Sequence, residues 1–134
     1  MKSILLTIII LSARCVFAQG LVFVFLHHKP DKVKLPKDQV EEIMNGHMAN
    51  IQRMAKEGKL LVAGPFEGGG GIFIFNSPSV EQVTLWLNDD PGVKAHRWNV
   101  EIQPYQWRVG QPRLVPEPIE MTHYNFVRFV RPPN

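Results

Sequence analysis

The feature that most constrains this 134-residue chain is an uninterrupted apolar run, Leu-Val-Phe-Val-Phe-Leu, at Leu21–Leu26. The run is rich in β-branched and aromatic residues and lacks the polar alternation of a half-exposed strand. It therefore predicts a β-strand that is buried on both faces or nearly so. The rest of the chain, or a partner, must cover both faces of the sheet that contains this strand.

Two further segments have the pattern of amphipathic helices. Apolar residues recur at the 3.6-residue period from Asp38 to Glu57, and Gly58 is a natural C-terminal stop. A second helix is predicted to begin at Ser77-Pro78, where serine can cap free amides and proline fits the first turn, and to end at Asp90-Pro91. The predicted buried stripes are Val40, Ile43, Met44, Met48, Ile51, Met54 and Ala55 in the first helix and Val80, Val83 and Leu87 in the second.

Three more strands are predicted between and after these helices. Lys59–Phe66 and Ile72–Phe75 flank four consecutive glycines, Gly68–Gly71, which we interpret as a hairpin loop. Trp98–Gln103 alternates apolar and polar residues, as expected of a strand with one wet face. The resulting order, βαββαβ, predicts an α+β, ferredoxin-like fold, in which a four-stranded antiparallel sheet carries two helices on one face.

The first 18 residues have the layout of a signal peptide. Lys2 supplies a positive charge, Ile4–Leu11 is a short apolar run, and Val16-Phe17-Ala18 places small residues at the cleavage-site positions. The run of about 8 residues is too short for the roughly 20 helical residues that span a bilayer. We therefore expect an exported protein, periplasmic or secreted. Lipidation at Cys15 is a minor alternative, because a lipoprotein signal needs a small residue where Arg14 stands.

Removal of the predicted signal peptide changes the charge and the cysteine count. Lys2 and Arg14 leave with it and no acidic residue does, so 15 basic residues against 12 acidic ones become 13 against 12, and the net charge falls from +3 to +1. A nearly neutral domain lacks the positive field that holds nucleic acid at physiological salt. The only cysteine, Cys15, is also lost, so no disulfide can form. We expect no nucleic-acid partner and no membrane association after processing.

The face of the predicted sheet that carries no helix needs a cover, which indicates a second subunit. Two helices cover one face, and the simplest cover for the other is the sheet of a second subunit, which gives a symmetric homodimer. Beyond Trp107 the chain is proline-rich, and His123–Val130 is predicted to add one more strand. The predicted organisation is a signal peptide at 1–18, a ferredoxin-like domain at 19–107, and a proline-rich linker with a C-terminal extra strand at 108–134.

His47 is the first candidate for chemistry. It lies seven residues after Val40 and four before Ile51, within the apolar stripe of the first helix, so a polar ring faces the predicted sheet. A lone histidine in such a place is more often a core residue with one hydrogen-bond partner. Gly46 favours the functional interpretation a little, because a mid-helix glycine costs roughly 0.5–1 kcal/mol relative to alanine unless something must approach the backbone there.

Asp89 and Asp90 are the second candidate. Carboxylates at the C-terminal end of a helix are disfavoured by its dipole, each by roughly 0.3–1 kcal/mol. Alternatively, one of them simply caps the turn at Pro91. In a ferredoxin-like fold the two helices lie side by side on one sheet face, so His47 and one aspartate can meet as an acid/base pair. We predict a hydrogen bond between His47 and Asp90.

The remaining polar patterns predict no further site. Gly68–Gly71 lacks the Lys-Ser/Thr of a phosphate-binding loop and precedes a strand rather than a helix. Four further histidines have no metal-ligand spacing among themselves, namely His27, His28, His96 and His123. We therefore expect neither a metal nor a cofactor.

Several stretches together resemble a known family. They are Gly46-His47-Met48, Glu57–Phe66 (Glu-Gly-Lys-Leu-Leu-Val-Ala-Gly-Pro-Phe), Asp89–Val93 (Asp-Asp-Pro-Gly-Val) and Val100–Ile102. In this combination they make the chain from about Leu21 to Trp107 similar to the YciI-like, or YCII-related, family.

The resemblance implies a fold, a partner and a site. It implies a ferredoxin-like domain of the dimeric α/β-barrel superfamily, with His47 and Asp90 as the catalytic residues and Gly64 and Pro65 as binding residues. This chain departs from the pattern at Gly70-Gly71, where many members have a polar residue, often serine, and in its export signal and its tail. An activity known among relatives is dehydrochlorination of a chlorinated hydroxyhydroquinone.

Three functional hypotheses remain open. In the first, the protein is a lyase or isomerase in which His47 moves a proton on a small hydroxylated cyclic compound while Asp90 fixes the tautomer of the imidazole. In the second, it is a non-catalytic dimer that binds a small ligand or a protein, and His47–Asp90 is a structural hydrogen bond. In the third, Gly71–Phe75 is the aromatic third strand of an RNA-recognition module, against which export and the low net charge argue.

Overall fold

The computed structural model of the chain describes residues 20–113 and 122–132. The predicted signal peptide, residues 1–18, lies outside the described residues. The elements in chain order are β1 (Leu21–His28), α1 (Lys37–Lys56), β2 (Leu60–Pro65), β3 (Gly71–Phe75), α2 (Val80–Asn88), α3 (Pro91–Lys94) and β4 (Trp98–Tyr105). None of the helices in this part of the chain has the length and apolar character needed to cross a membrane.

The four strands form one antiparallel sheet in the order β2-β3-β1-β4. The apolar strand β1 is an inner strand that pairs with β3 on one side and with β4 along its whole length on the other. The hairpin between β2 and β3 turns through Gly68–Gly70, which all have positive φ. At Gly70 a side chain is also excluded by space, because a Cβ would collide with the carbonyl oxygen of Leu26. The predicted ferredoxin-like fold is confirmed, with the short helix α3 added.

The helix-side core lies between the sheet and the helices. Side chains of β1 alternate between the two faces, and Val22, Val24 and Leu26 point to this side. The remaining buried members are Met54, Leu60, Phe73, Phe75, Val83 and Leu87. Each such side chain stabilises the fold by roughly 1.5–3 kcal/mol relative to an exposed one. Met48, predicted for the buried stripe, is 50% exposed, because it lies one residue beyond the buried His47 and therefore about 100° around the helix.

The opposite face of the sheet, which we call the open face, carries a second apolar cluster. Its buried members are Leu21, Phe23, Phe25 and Ile74. Residues 122–132 lie over this face, where the ring of Phe126 is 5.7 Å from the rings of Phe23 and Phe25. They form no strand, so the predicted extra strand at His123–Val130 is wrong. The segment crosses the face above an inner strand, where the backbone groups are already paired, instead of extending an edge.

The start of α2 also differs from its prediction. The helix begins at Val80, and the Oγ of Ser79 accepts a hydrogen bond from the backbone N–H of Gln82 at 3.1 Å. Ser77, predicted as the cap, instead accepts from the N–H of Ser79 at 3.1 Å. The cap is therefore Ser79, the residue directly before the helix. It satisfies the amide of Gln82, three residues further along the chain.

Candidate active site

The imidazole of His47 lies between α1 and the sheet. It is 5% exposed, and its ring centroid is 4.7 Å from that of Trp98 and 6.0 Å from that of Phe73. Trp98 begins β4, and Phe73 lies in β3 within the helix-side core. The predicted burial of His47 against the sheet is confirmed, and two aromatic rings flank the imidazole.

Asp90 is fully buried and caps α3. Its Oδ1 accepts hydrogen bonds from the backbone N–H groups of Gly92 at 2.9 Å and Val93 at 3.1 Å. The expectation that Asp90 stands at the unfavourable end of the α2 dipole is wrong, since α2 ends at Asn88 with Asp89 as its C-cap. Asp90 occupies the favourable N-terminal position of the next helix.

His47 and Asp90 form the predicted pair. Nδ1 of His47 is 2.9 Å from both Oδ1 and Oδ2 of Asp90. The two residues are 43 positions apart in the chain, and the packing of α1 against α3 brings them together. The hydrogen bond is thus confirmed, whereas the catalytic role of these residues stays a proposal.

Asn50 is a third member of the site that the sequence interpretation missed. Its Nδ2 donates to Oδ2 of Asp90 at 2.8 Å, and its own Oδ1 accepts from Nη2 of Arg53 at 2.6 Å. The sequence did contain a signal, because Asn50 follows His47 by three residues and so shares its face of the helix. A polar side chain next to a candidate histidine on a buried stripe is itself a candidate.

Two glycines allow the elements of the site to approach one another. A Cβ on Gly46 would lie 3.0 Å from Cγ of Pro91, so this glycine lets α3 pack against α1 beside His47. A Cβ on Gly92 would collide with the indole of Trp98, lying 2.7 Å from Cη2. The predicted close approach at Gly46 is confirmed, and the approaching group is Pro91.

The electrostatics of Asp90 favour its ionised form. Burial by itself raises the pKa of this carboxyl group. Hydrogen bonds from His47 and Asn50, the charge of His47 and the N–H of Val93 outweigh burial and hold the pKa below its usual 3.8. Asp90 is therefore a buried anion that the surrounding donors stabilise.

The second ring nitrogen of His47 is left available. No hydrogen bond involves Nε2, yet no buried side-chain nitrogen or oxygen of the described residues lacks a partner. Nε2 therefore belongs to the small accessible part of the ring. Since Asp90 as a carboxylate can only accept, Nδ1 carries the proton of the neutral ring, and Nε2 carries the lone pair.

Two surface grooves flank the pair. One, of about 600 Å³, includes Trp98, Val93, Lys94 and His96 in its wall. The other, of about 480 Å³, includes Gly46 and Pro91. His47 lines neither groove, but Trp98 lines the first and contacts the imidazole, and Gly46, its neighbour in α1, lines the second.

The predicted binding residues, Gly64 and Pro65, lie at the end of β2. They pair with Ile72 and Gly71 of β3. Within residues 20–113 and 122–132, no hydrogen bond or ring contact joins them to His47 or Asp90. Their binding role stays a prediction. In the same ranges, no group of three or more histidine, cysteine, aspartate or glutamate side chains is arranged to hold a metal ion.

Comparisons with known proteins agree with this architecture. Among solved structures, a similar one is the 5-chloro-2-hydroxyhydroquinone dehydrochlorinase from Burkholderia phenoliruptrix AC1100, in complex with 2,5-dihydroxybenzoquinone. Its TM-score is 0.51 at 18% sequence identity, and the match covers 67% of this chain and 95% of that chain. A likeness at this identity shows the shared fold.

The family comparison extends over most of the described chain. No individually curated protein matches this chain at a significant level. The family model of the YCII-related domain matches residues 21–106, which include His47, Asn50 and Asp90. This range exceeds half of the chain, and the chain belongs to the YCII-related domain family.

Proposed function

We propose that this protein is an acid/base enzyme of lyase or isomerase type that acts on a small hydroxylated cyclic compound. The observation that carries the proposal is the asymmetry of His47. A buried carboxylate holds Nδ1 at 2.9 Å, while no residue in the described part of the chain forms a hydrogen bond with Nε2. A histidine that one carboxylate orients through Nδ1 and that keeps Nε2 free is the usual arrangement of a general base.

The proposed chemistry starts with one proton transfer. Nε2 of His47 takes a proton from a hydroxyl group or a ring carbon of the substrate, and the resulting imidazolium faces the negative charge of Asp90. In an isomerisation the proton returns to a different atom of the substrate. In an elimination a leaving group departs with its bonding electron pair, and the proton later passes to solvent. Asp90 acts throughout as the positioning residue.

Two observations support a cyclic substrate. The ring of Trp98 lies beside the imidazole and lines the 600 Å³ groove, and a flat aromatic face favours stacking with a planar ring. A fold neighbour was solved in complex with 2,5-dihydroxybenzoquinone, a hydroxylated ring. Because Trp98 lines the 600 Å³ groove and contacts His47, we place the entry of the substrate at this side chain.

The test uses 5-chloro-2-hydroxyhydroquinone as the substrate and 2,5-dihydroxybenzoquinone as the binding probe. We expect His47→Gln to lower kcat by about 10²–10⁴-fold, the usual contribution of a general acid/base, while probe binding is retained. His123→Gln, which changes an exposed histidine, is the matched control and should match the parent chain. Equal turnover in both variants would show that His47 is not the base.

A second function, a non-catalytic binding module, is favoured by one observation. Asp90 receives four donors, from His47, Asn50, Gly92 and Val93, which also describes a purely structural cap. On this account the probe binds, none of a panel of hydroxylated cyclic compounds is turned over, and His47→Gln lowers stability alone.

Export is a further part of the proposal. The basis is the sequence of residues 1–18, and the test is the N-terminus of protein recovered from a bacterial host that expresses the full chain. We expect periplasmic or extracellular protein that begins at Gln19. Protein that keeps Met1 and remains in the cytoplasm would contradict export.

The homodimer through the open face stays a prediction. Residues 122–132 cover part of this face in the structure, so the form that a dimer takes depends on this segment.

A further inference from the structure

Residues 122–132, which we call the strap, contact the open face through one aromatic side chain. The ring of Phe126 lies 5.7 Å from Phe23, 5.7 Å from Phe25 and 5.8 Å from Phe66. These partners belong to the apolar cluster that the helices do not reach. Phe126 therefore covers the surface that the sequence assigns to a second subunit.

An ion pair fixes the strap at the rim of the open face. Nη1 and Nη2 of Arg128 donate to the two carboxylate oxygens of Glu101 at 2.9 and 2.7 Å, and the guanidinium lies 4.4 Å from the ring centroid of Phe25. Nε2 of His27 is 2.6 Å from the same carboxylate. The hydrogen bonds from Arg128, followed by that from His27, lower the pKa of Glu101 to about 2. Glu101 is thus ionised at neutral pH, and its negative charge attracts the guanidinium of Arg128.

The rest of the strap is held loosely. Four large apolar side chains point away from the sheet and are 67–93% exposed, namely Tyr124, Val127, Phe129 and Val130. The strap also has no backbone ladder with the sheet, because residues 122–132 belong to no strand. Two side chains, Phe126 and Arg128, therefore provide the contacts described between strap and sheet.

The open face beneath the strap has the features of a self-complementary surface. Its centre is apolar and aromatic, while Glu101 and His27 lie together at its rim. A two-fold axis brings the same patch of two copies together. It can thus place apolar centre on apolar centre and a carboxylate of one copy near an imidazole of the other.

We infer that the strap is an intramolecular competitor of homodimerisation: the partner that fits the open face is a second copy of this chain, and Phe126 and Arg128 keep that copy off. This inference rests on the homodimer of the proposed function, but it does not depend on the acid/base chemistry of His47. The strap thus sets the concentration at which the dimer forms.

Tethering explains why so few contacts are enough. A segment joined to its binding surface acts at an effective concentration on the order of millimolar, whereas a second copy in solution acts at its own micromolar concentration. A weak strap therefore keeps the full chain monomeric at micromolar concentration. Loss of either anchoring contact shifts the equilibrium towards the dimer.

The test is the oligomeric state of full-length variants in sedimentation velocity. Arg128→Glu places two carboxylates together and should release the strap, so we expect the dimer dissociation constant to fall about tenfold, the factor for losing and reversing a part-exposed ion pair. Arg131→Glu is the matched control, because it makes the same charge change at an exposed strap residue.

Raising the salt concentration tests the inference without a mutation. The side chains of Arg128 and Glu101 are 36% and 31% exposed, and the Debye length falls from about 10 Å at 0.1 M to about 3 Å at 1 M salt. The parent chain should therefore dimerise more readily at high salt.

The contrary outcomes separate the two parts of the inference. If the parent chain is already a stable dimer at low micromolar concentration and Arg128→Glu does not strengthen it, the strap is not a competitor. If Arg128→Glu folds but stays monomeric, and high salt leaves the parent chain monomeric, the open face does not bind a second copy. Neither result bears on the turnover test of His47.

Discussion

At the scale of single residues, Asp90 both caps a helix and binds the candidate catalytic histidine. Its Oδ1 caps α3 through Gly92 and Val93, while both carboxylate oxygens lie 2.9 Å from Nδ1 of His47. A buried carboxylate without donors would be neutral at ordinary pH. Here the donors keep it charged, and the same charge can stabilise an imidazolium.

The ionisation of Asp90 predicts a loss of stability in acid. Because its pKa is lowered in the folded state, its contribution to stability is present above the ordinary value of 3.8 and is lost as pH falls through the lower, folded value. We expect the free energy of unfolding in urea to decline more steeply below about pH 4 for the parent chain than for Asp90→Asn. The difference between the two curves isolates Asp90 from the other carboxylates. Parallel curves would show that Asp90 is not charged in the fold.

Removing the side chain of Asn50 should change the pKa of Asp90 without removing the carboxylate itself. In Asn50→Ala, Oδ2 of Asp90 loses the donor at 2.8 Å, so the pKa of Asp90 should rise and the fold should lose about 1.5–3 kcal/mol, the contribution of one hydrogen bond to a charged group. Carboxyl ¹³C NMR and urea unfolding measure the two quantities. Asn45→Ala, at an exposed position of the same helix, should change neither. An unaltered pKa of Asp90 in Asn50→Ala would mean that solvent replaces the amide.

The pair could be predicted from the sequence, but its surroundings could not. His47 stands out because a polar residue interrupts an apolar stripe, and Asp90 because it precedes a proline. Asn50 was missed because an asparagine on an amphipathic helix has the pattern of a solvated position, and only its three-residue spacing from His47 indicates that it shares the buried face. The capping role of Asp90 escapes it as well, because α3 has only four residues and no periodicity of its own.

At the scale of elements, α3 determines the geometry of the site. This short helix places Pro91 against Gly46 of α1 and Gly92 beneath the indole of Trp98. The two contacts hold Asp90 at the buried side of α1 and Trp98 beside the imidazole. At Gly92 a methyl group would fill the space that the indole occupies, and at Gly46 it would press on the ring of Pro91 at 3.0 Å.

The variant Gly92→Ala tests how much the packing of α3 against Trp98 contributes to stability. The new Cβ would collide with Trp98, 2.7 Å from Cη2, and overpacking typically costs about 1–3 kcal/mol. We expect a lower free energy of unfolding and, because Trp98 contacts His47, an altered environment of the His47 ring in NMR spectra. Gly64→Ala is the control for stability, since its Cβ would meet only Ile72 Cγ1 at 3.9 Å. A loss in the control as large as that in Gly92→Ala would refute this account of α3.

The elements themselves were largely predictable from periodicity. The order βαββαβ, the span of α1 and the pairing of β2 with β3 all follow from apolar spacing and glycines. The extra strand at His123–Val130 does not form, because β propensity describes side chains that fit a sheet and does not say whether a free edge is within reach. Instead, two side chains of this segment, those of Phe126 and Arg128, bind the open face of the sheet.

At the scale of the whole molecule, the apolar strand β1 explains the architecture. Val22, Val24 and Leu26 face the helices, and Phe23 and Phe25 face the other way. The helices cover the first side, and the strap covers part of the second. The sequence pattern indicated that a cover was needed there, but it could not show that the chain supplies one itself, because that depends on where the tail runs in space.

We propose that this fold holds His47 as a base whose free nitrogen is Nε2. The most direct measurement is ¹⁵N NMR of the His47 ring in the full-length chain, at a pH where the ring is neutral. We expect a proton on Nδ1, an unprotonated Nε2, and a shift of the Nε2 resonance when 2,5-dihydroxybenzoquinone is added. In Asp90→Asn the preference for this tautomer should weaken. A proton on Nε2 in the parent chain, with no response to the probe, would contradict the claim and leave His47–Asp90 as a structural hydrogen bond.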